Sequence, residues 1–495
     1  MSVAFTKNGD QPIYVQISNW MKDAIKRGRL ASGEKLPSTR VFANELGVSR
    51  NTVLQVFEGL TQEGLLTSRV GAGTFVSSEA QGLLSPDWEG DRSDSGPSYP
   101  FRSLSRRGKS LLASATGEFS ERPTPFMPDL PDLREFPIRT WLRLLNETSG
   151  RLTGQILADA SNAGYEPLRR AVAQHLSASR GVLCDHRQII ITTGSQQGLD
   201  LVCRLLLDAG DPVWLEEPGY VGARSVIRAN GGMLCPVPVD KAGGKFGEAI
   251  SVLPTPKLIF TSAARHYPLG ATLSLERREQ LVALARQSGS WIIEDDYDHE
   301  FGLHGIGMRT VYSLDASQRT IMMGTFSKIL LPSFRLGYLV VPDDLSEPFA
   351  KARAVVDRHA SLIEQMVLSE FMNRGLLVSH IRRMRMLYLS RRSTLIMGIE
   401  AIFGRECCVP MPEIGTHVII PLESRADDVA IAALAAKNGL MLRPLSPYYM
   451  KGDGRKGLLL GFSAFNDDEL KKGLALLANM KREIGDVLPV RVSHL

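Results

Sequence analysis

The sequence is short of several things, and each shortage excludes something. No uninterrupted apolar run approaches the ~20 residues that crossing a bilayer requires, so no membrane partner is expected. The opening stretch MSVAFTKNGDQPIY lacks the apolar core of a secretory signal. Cysteine is scarce: Cys184, Cys203, Cys235, Cys407 and Cys408 show no C-x-x-C spacing and no even framework. That excludes a disulfide scaffold and reads as reduced thiols in a cytoplasmic protein, with no metal site expected. Net charge is only +5 and the pI about 8.9, too weak by itself to indicate nucleic acid. No internal repeat is present. What remains is ordinary globular material, 43% hydrophobic and 22% charged, in a chain of 495 residues, long enough for roughly two to four domains.

Composition changes sharply near residue 78. The segment from Ser78 to Pro100, SEAQGLLSPDWEGDRSDSGPSYP, is rich in Ser, Gly, Pro and Asp. It carries too little apolar surface to offset its ordering entropy. We read residues 78–121 as a flexible linker between a module at 11–77 and a larger domain at 122–490.

In the first module, QPIYVQISNWMKDAIKRGRL carries a helical apolar stripe, and GEKLPSTRVFANELGVSRNTVLQVFEGLTQEGLL gives two helices with a tight joint. Ser38 is placed to cap the first, Gly47 to end it and Ser49 to cap the second. A hairpin, LLTSRVGAGTFVSS, follows. Two helices joined this way plus a hairpin form a winged helix-turn-helix, whose second helix enters the major groove by its N-terminal end. Ser49, Arg50, Asn51 and Thr52 cluster there, with Arg40 on the preceding helix and Arg69 in the wing. Arg bridges guanine, Asn pairs adenine, and Ser or Thr holds phosphate. Short amphipathic helices with surface arginines are common, and the combination is far more specific. LPSTRVFANELGVSRNTV resembles the GntR family of bacterial DNA-binding domains. Residues 1–77 hold nine Lys or Arg against six Asp or Glu. So modest a charge makes a dimer reading two half-sites the expected partner of double-stranded DNA.

The larger domain alternates β-rich runs (188–194, 212–218, 257–263, 289–301, 320–327, 336–342) with helical stretches. Crossover units of this kind imply an α/β fold around a largely parallel sheet, about residues 160–353. A smaller α+β lobe runs from about residue 354, joined by the segment that follows the linker.

Lys328 lies in the mostly apolar stretch IMMGTFSKILLPSFRLGYLVVP. A buried ammonium is expensive there unless it is paired, deprotonated or covalently used. One such use is a Schiff base to pyridoxal phosphate. That chemistry also needs an acid beneath the ring nitrogen, a donor to the phenolate oxygen, an aromatic face and a phosphate cradle. Asp295 and Tyr297 in WIIEDDYDHEF suit the first two, and Tyr220 in EEPGY suits the third. Ser195 and Gln196 open a helix after a strand and suit the cradle, with Ser327 and Arg335 flanking the lysine. All fall at strand carboxyl ends or in the loops after them, where open α/β sheets place ligands. Singly, each has a plainer alternative: an acidic turn or weak metal site, a helix cap, a core aromatic, a surface lysine. Together, GYEPLRRAVAQHL, EEPGY, IIEDDYDHEF and GTFSKILLPSFRLGY resemble the aspartate-aminotransferase fold (fold type I) over about residues 123–490.

The two modules in one chain resemble the MocR family. That resemblance implies a transcription regulator, a head-to-tail, domain-swapped homodimer, with pyridoxal phosphate in the large domain and an amine, an amino acid or the cofactor itself as effector. Three departures from an active aminotransferase stand out. Leu157 is near the place of a tyrosine that reaches the neighbouring subunit's phosphate. ARHYPLG, with Arg265, His266 and Tyr267, replaces an N-P-x-G turn. Leu458 to Leu460 stand where an arginine would clamp a substrate carboxylate, leaving Arg443 and Arg224 as unplaced substitutes. The reading is a pyridoxal-phosphate-dependent regulator with Lys328 anchoring a sensor. The alternatives are an active aminotransferase with a fused DNA-binding domain, and a regulator whose effector domain has lost the cofactor.

Overall fold

The computed structural model describes residues 12–69, 72–80, 104–113, 123–154, 156, 161–302, 309–405, 407, 415–450 and 454–484. The chain divides into two units, Met1–Ser103 and Leu104–Leu495.

In the first unit, α1 (Ile13–Lys26), α2 (Thr39–Leu46) and α3 (Arg50–Gln62) precede a hairpin of β1 (Leu66–Arg69) and β2 (Gly73–Val76). The joint forms as the sequence dictates. Ser38 Oγ accepts from the Val41 amide, Ser49 Oγ accepts from the Thr52 amide at 3.1 Å, and Gly47 closes α2 in the left-handed region at φ 66°. Val53, Val56, Phe57 and Leu60 turn inward, and Phe57 meets Phe42 with ring centroids 5.6 Å apart. Burying these side chains stabilises the unit by roughly 1.5–3 kcal/mol each.

The second unit begins with α4 (Arg106–Ala113), a helix inside the span read as linker; most of the remainder of that span lies outside the described residues. Next come α5 (Ile138–Ser149) and α6 (Glu166–Arg180). The central sheet then assembles from β3 (Ile189–Thr192), β4 (Pro212–Glu217), β5 (Met233–Asp240), β6 (Gly243–Gly244), β7 (Leu258–Thr261), β8 (Trp291–Asp295), β9 (Thr320–Thr325) and β10 (Gly337–Val340), in the order β3-β10-β9-β8-β7-β4-β5-β6. Helices α7 (Ser195–Leu206), α8 (Val221–Ala229) and α9 (Leu275–Ser288) link strands within it. Successive residues enter opposite cores. Ile189 and Ile191 pack on one face and Ile190 on the other, as expected of a sheet covered on both sides.

The sheet is mixed rather than uniformly parallel. β10 runs antiparallel to both β3 and β9, because residues 326–336 return the chain without a crossover helix. β5 is absent from the sequence reading because Pro236 and Pro238 interrupt its pattern, and prolines argue against a strand.

The smaller lobe holds a three-stranded antiparallel sheet of β11 (His417–Leu422), β12 (Arg443–Pro444) and β13 (Lys456–Gly461), ordered β11-β13-β12. Helices α10 (Asp343–Val356), α11 (Leu362–Asn373), α12 (Leu376–Phe403), α13 (Asp428–Lys437) and α14 (Asp467–Ile484) complete the unit. α12 spans two cores: Leu377 and Ile381 belong to the large-sheet core, Met384 and Leu395 to the small-lobe core. Phe126 and Met127 pack in the small-lobe core too, so the segment that enters the domain is stitched to its last strands. The Phe126 carbonyl accepts from the Gly461 amide at 2.7 Å, and the Pro125 carbonyl accepts from the Met441 amide at 2.9 Å.

Candidate cofactor and effector site

Asp295 ends β8, buried, and its Oδ1 has no hydrogen-bond partner among the described residues. Burial first, then the charges of Asp296 and Asp298, push its carboxyl up to about 8, against the pull of Lys328. The loop behind it is tied down. Arg180 donates to both oxygens of Asp296 at 2.9 and 3.1 Å, and His299 Nδ1 lies 2.9 Å from Asp296 Oδ2. Arg265 pairs with Asp298 at 2.6 Å. These buried pairs hold the backbone that presents Asp295 and Tyr297. The Tyr297 hydroxyl is likewise buried with no hydrogen-bond partner among the described residues.

Lys328 follows β9. Its Nζ lies 5.8 Å from the Tyr297 ring centre and 6.0 Å from that of Tyr267. It donates to Asp129 Oδ1 at 2.8 Å. Asp129 Oδ2 accepts from the Tyr267 hydroxyl at 2.6 Å and from Arg443 at 2.7 Å. Burial alone would raise the Asp129 carboxyl, but the Lys328 and Arg443 cations outweigh it and hold the group far below the usual carboxylate range. Asp129 is absent from the sequence reading. Its backbone is left-handed, φ 71°, a region a non-glycine residue enters at a cost.

The cradle lies at the start of α7. Gly194 is its N-cap at φ 103°, and Ser195 and Gln196 are its first residues. Gln196 Oε1 is buried with no hydrogen-bond partner among the described residues. Arg335 adopts the left-handed conformation at φ 49°, and its guanidinium lies 3.6 Å from where a Gly194 side chain would begin. Ser327 is half-buried beside Lys328, its amide donating to Thr325 Oγ1 at 3.2 Å. Tyr220 precedes α8, its ring 6.1 Å from that of Tyr267. A Cβ on Gly222 would lie 2.4 Å from Tyr220 and 2.6 Å from the Gln196 amide nitrogen, so that glycine lets the two meet.

The structure thus brings Lys328, Asp295 and Tyr297 together, and gathers Ser195, Gln196, Tyr220 and Arg335 around one cradle. Two unpartnered buried atoms, Asp295 Oδ1 and the Tyr297 hydroxyl, meet the needs of a pyridine nitrogen and a phenolate oxygen, and the start of α7 with the Arg335 guanidinium beside Gly194 supplies donors for a phosphate, so the residues fit pyridoxal phosphate. Of the residues offered as substitutes in the ARHYPLG turn, Arg265 is engaged by Asp298 and His266 Nε2 by the Pro218 carbonyl at 2.8 Å; Tyr267 reaches the lysine's partner instead. Leu157 lies outside the described residues. Arg224 donates to the Pro447 carbonyl at 3.0 Å, whereas Arg443 stands in the site. Arg443 pairs in register with Leu459 across β12 and β13, and Leu459 packs with Tyr267, Tyr297 and Tyr448. The guanidinium therefore sits one strand over from the expected arginine, on the same face.

In the first unit, Ser49, Arg50 and Asn51 are exposed and Thr52 half-exposed at the N-terminal end of α3. Arg50 Nε lies 3.4 Å from Thr39 Oγ1, and Arg40 is exposed on α2. In the wing, Arg69 and Lys35 both lie over the Phe75 ring, at 5.3 and 5.9 Å.

Comparison with known proteins agrees with both units. Residues 13–76 match the gntR family of bacterial regulatory proteins, and residues 132–471 match aminotransferase class I and II. The probable rhizopine catabolism regulatory protein MocR of Rhizobium meliloti is 32% identical over 98% of this chain and 97% of its own length. The chain belongs to the MocR family. Another relative of this MocR-family chain, the pyridoxine biosynthesis transcriptional regulator PdxR of Corynebacterium glutamicum, is 27% identical over 97% of this chain and 98% of its own. Among solved structures, a Pyrococcus horikoshii kynurenine aminotransferase in complex with PMP is 26% identical, with a TM-score of 0.67, covering 80% of this chain and 98% of that one. The MocR-family chain is accordingly a transcriptional regulator with a GntR winged-helix domain and a fold type I, pyridoxal-phosphate aminotransferase domain.

Proposed function

We propose that this regulator binds an operator as a cytoplasmic, head-to-tail homodimer through Arg40, Ser49, Arg50, Asn51, Thr52 and Arg69, and senses a small amine or amino acid at Lys328. Pyridoxal phosphate, when bound, supplies an aldehyde carbon that the amine of Lys328 or of a ligand can hold as an imine. Asp295 would hold the ring nitrogen protonated, Tyr297 would donate to the phenolate oxygen, and Tyr220 would cover the ring. Ser195, Gln196, Ser327 and Arg335 hold the phosphate. Lys328 would be the amine with which a ligand amine competes, and its side chain reaches Asp129 at 2.8 Å. Lysine engaged by the cofactor and lysine held by Asp129 would be the two positions of a two-state switch.

The observation that carries the sensor reading is the state of Arg443. An aminotransferase needs an arginine free to clamp a substrate carboxylate, and here the site's arginine is bound to the chain's own Asp129. Retention of the lysine, the ring acid and the cradle favours the second reading, an active aminotransferase. Incubation with amino acids and 2-oxoglutarate separates the two: glutamate formed over many turnovers refutes the sensor reading. Lys328→Ala should abolish the visible absorption band of the bound cofactor and leave operator binding intact, whereas Arg50→Ala should weaken operator binding by about 1–3 kcal/mol. Equal loss of DNA binding in both variants would contradict the division of labour.

A further inference from the structure

Behind the loop that carries Asp295 and Tyr297, a second group of side chains comes together that the cofactor site does not use. We propose that His175, His299 and Glu300 bind one divalent transition-metal ion, with zinc the best match.

The three residues come from two places in the fold. His175 lies on α6, and His299 and Glu300 belong to the single turn that follows β8. One ligand atom from each, an imidazole nitrogen or a carboxylate oxygen, lies within 4.8 Å of the other two. Three atoms bound to one zinc ion stand about 3.3 Å apart in tetrahedral geometry. Closing on an ion therefore takes a shift of at most about 1.5 Å, within reach of a change in the glutamate side-chain torsions. The backbone beneath that side chain is held. Arg385 Nε donates to the Glu300 carbonyl at 3.1 Å, and Phe301 packs on Tyr388 with ring centres 5.0 Å apart.

The cluster is incomplete as it stands. The side chains of His299 and Glu300 are only 4% and 6% exposed. His299 Nε2, Glu300 Oε2 and His175 Nε2 have no hydrogen-bond partner among the described residues. Glu300 Oε2 lies 3.3 Å from His299 Nδ1, and Oε1 lies 3.8 Å from His175 Nε2. The nearby guanidinium groups are committed: Arg180 to Asp296 and Arg265 to Asp298. Buried charges are resolved by pairing or by metal coordination. Imidazole with carboxylate suits zinc and its first-row neighbours, whereas calcium and magnesium take oxygen ligands. Two histidines and a glutamate leave a fourth position for water. The supporting group is also in place. His299 Nδ1 lies 2.9 Å from Asp296 Oδ2, the carboxylate support that metal-bound imidazoles carry, and Nε2 is the nitrogen left for an ion. An ion here would tie α6 to the turn after β8 a second time, beside the Arg180–Asp296 pair, and brace the loop that presents Asp295.

The test uses the full-length, cofactor-loaded protein, stripped of metal by a chelator and then offered zinc alone or cobalt(II) alone. Wild type should retain about one zinc ion per chain through gel filtration. Cobalt should give the strong visible absorption of a four-coordinate ion, at wavelengths beyond the cofactor band. His175→Ala and Glu300→Gln should each weaken zinc binding at least about 100-fold and abolish the cobalt spectrum. His175 is half-buried on a helix, where alanine is well tolerated, and circular dichroism checks that the variant folds. A wild type that retains no zinc and shows no cobalt spectrum would overturn the proposal, leaving an ion-pair network only. Zinc retention equal to wild type in either variant would also overturn it, because the ion would then sit elsewhere, on a cysteine or a surface histidine.

Discussion

Replacing Asp295 by asparagine should make the cofactor-free protein more stable and the cofactor-bound protein worse. Asp295 is fully buried with its carboxyl raised from 3.8 to about 8. The folded chain therefore holds a proton that the unfolded chain has released. Stability from this group is whole below the unfolded value and is lost as pH climbs toward the folded one. At about 1.4 kcal/mol per pH unit the penalty reaches about 4 kcal/mol near neutrality, an order-of-magnitude figure. Asparagine is neutral throughout and nearly the same shape. Stripped of cofactor, D295N should exceed wild type by a margin that widens by about 2 kcal/mol between pH 6 and pH 8. With cofactor the sign reverses. The anion that burdens the empty site is the one a protonated ring nitrogen requires, and a charge-assisted hydrogen bond contributes about 1.5–3 kcal/mol, so cofactor affinity should fall by roughly 10–100-fold. Urea midpoints of the stripped proteins at three pH values, followed by tryptophan fluorescence, measure the first effect; titration of the visible band measures the second. A margin that stays flat with pH, or a stripped D295N less stable than wild type at pH 8, would refute the assignment of Asp295 as the buried, unpartnered acid.

Gly194→Ala should weaken the cofactor site. Its φ of 103° is unfavourable for a side chain, and the new methyl would stand 3.6 Å from the Arg335 guanidinium; a loss of about 1–3 kcal/mol in thermal stability or cofactor binding is expected, measured by calorimetry and band titration. His417 is buried against Tyr267, its Nε2 2.9 Å from the Pro268 carbonyl, and burial first, then the Arg265 charge, lower its pKa to about 4. The fold keeps this ring neutral while the unfolded chain takes up a proton, so its contribution is lost as pH falls from the unfolded value of 6.5 toward 4. His417→Gln, which keeps a donor near the carbonyl, should remove about 2 kcal/mol of the stability change between pH 7 and pH 5; an acid limb of the stability curve identical to wild type would contradict the neutral assignment.

Much of the fold was legible because its cues are local. Serine caps, the Gly47 stop and the inward positions of α3 depend on residues a few places apart, and they stand where the spacing requires. The strands at the heart of the large sheet are short apolar runs between helices, visible for the same reason. The reversed strand β10 and the proline-bearing β5 are less so, because pairing direction is set by what connects two strands and prolines mask a strand's pattern. In the candidate site, Lys328, Asp295 and Tyr297 are recognisable from the chemistry of one cofactor, and two of them share one motif. Asp129 carries no such mark. It and Asp132 occupy the same local text, PDLPDL, and both lie beside arginine, Asp132 buried and Asp129 half-buried. Asp132 has φ −74° and accepts from Arg134 and Arg391; Asp129 has φ 71° and accepts from Lys328, Tyr267 and Arg443. Only the backbone separates a structural carboxylate from one that enters the pocket.

Arg443 shows the same limit from the other side. Read along the chain, Leu458 to Leu460 signify a lost clamp. Read across the sheet, a guanidinium stands opposite Leu459 and shares its face. Losing an arginine from β13 and having one on β12 preserves the charge in space while changing its direction of approach, and that new direction meets Asp129. A charge conserved in position and neutralised in place has a different consequence from a charge deleted. A deleted arginine cannot be recovered by changing its neighbour; an engaged one can. Asp129→Asn should therefore free the Arg443 guanidinium and raise the affinity for an amine that carries a carboxylate, such as 4-aminobutyrate, read as the shift in the bound-cofactor band. An affinity that does not change would show that a ligand carboxylate does not meet Arg443.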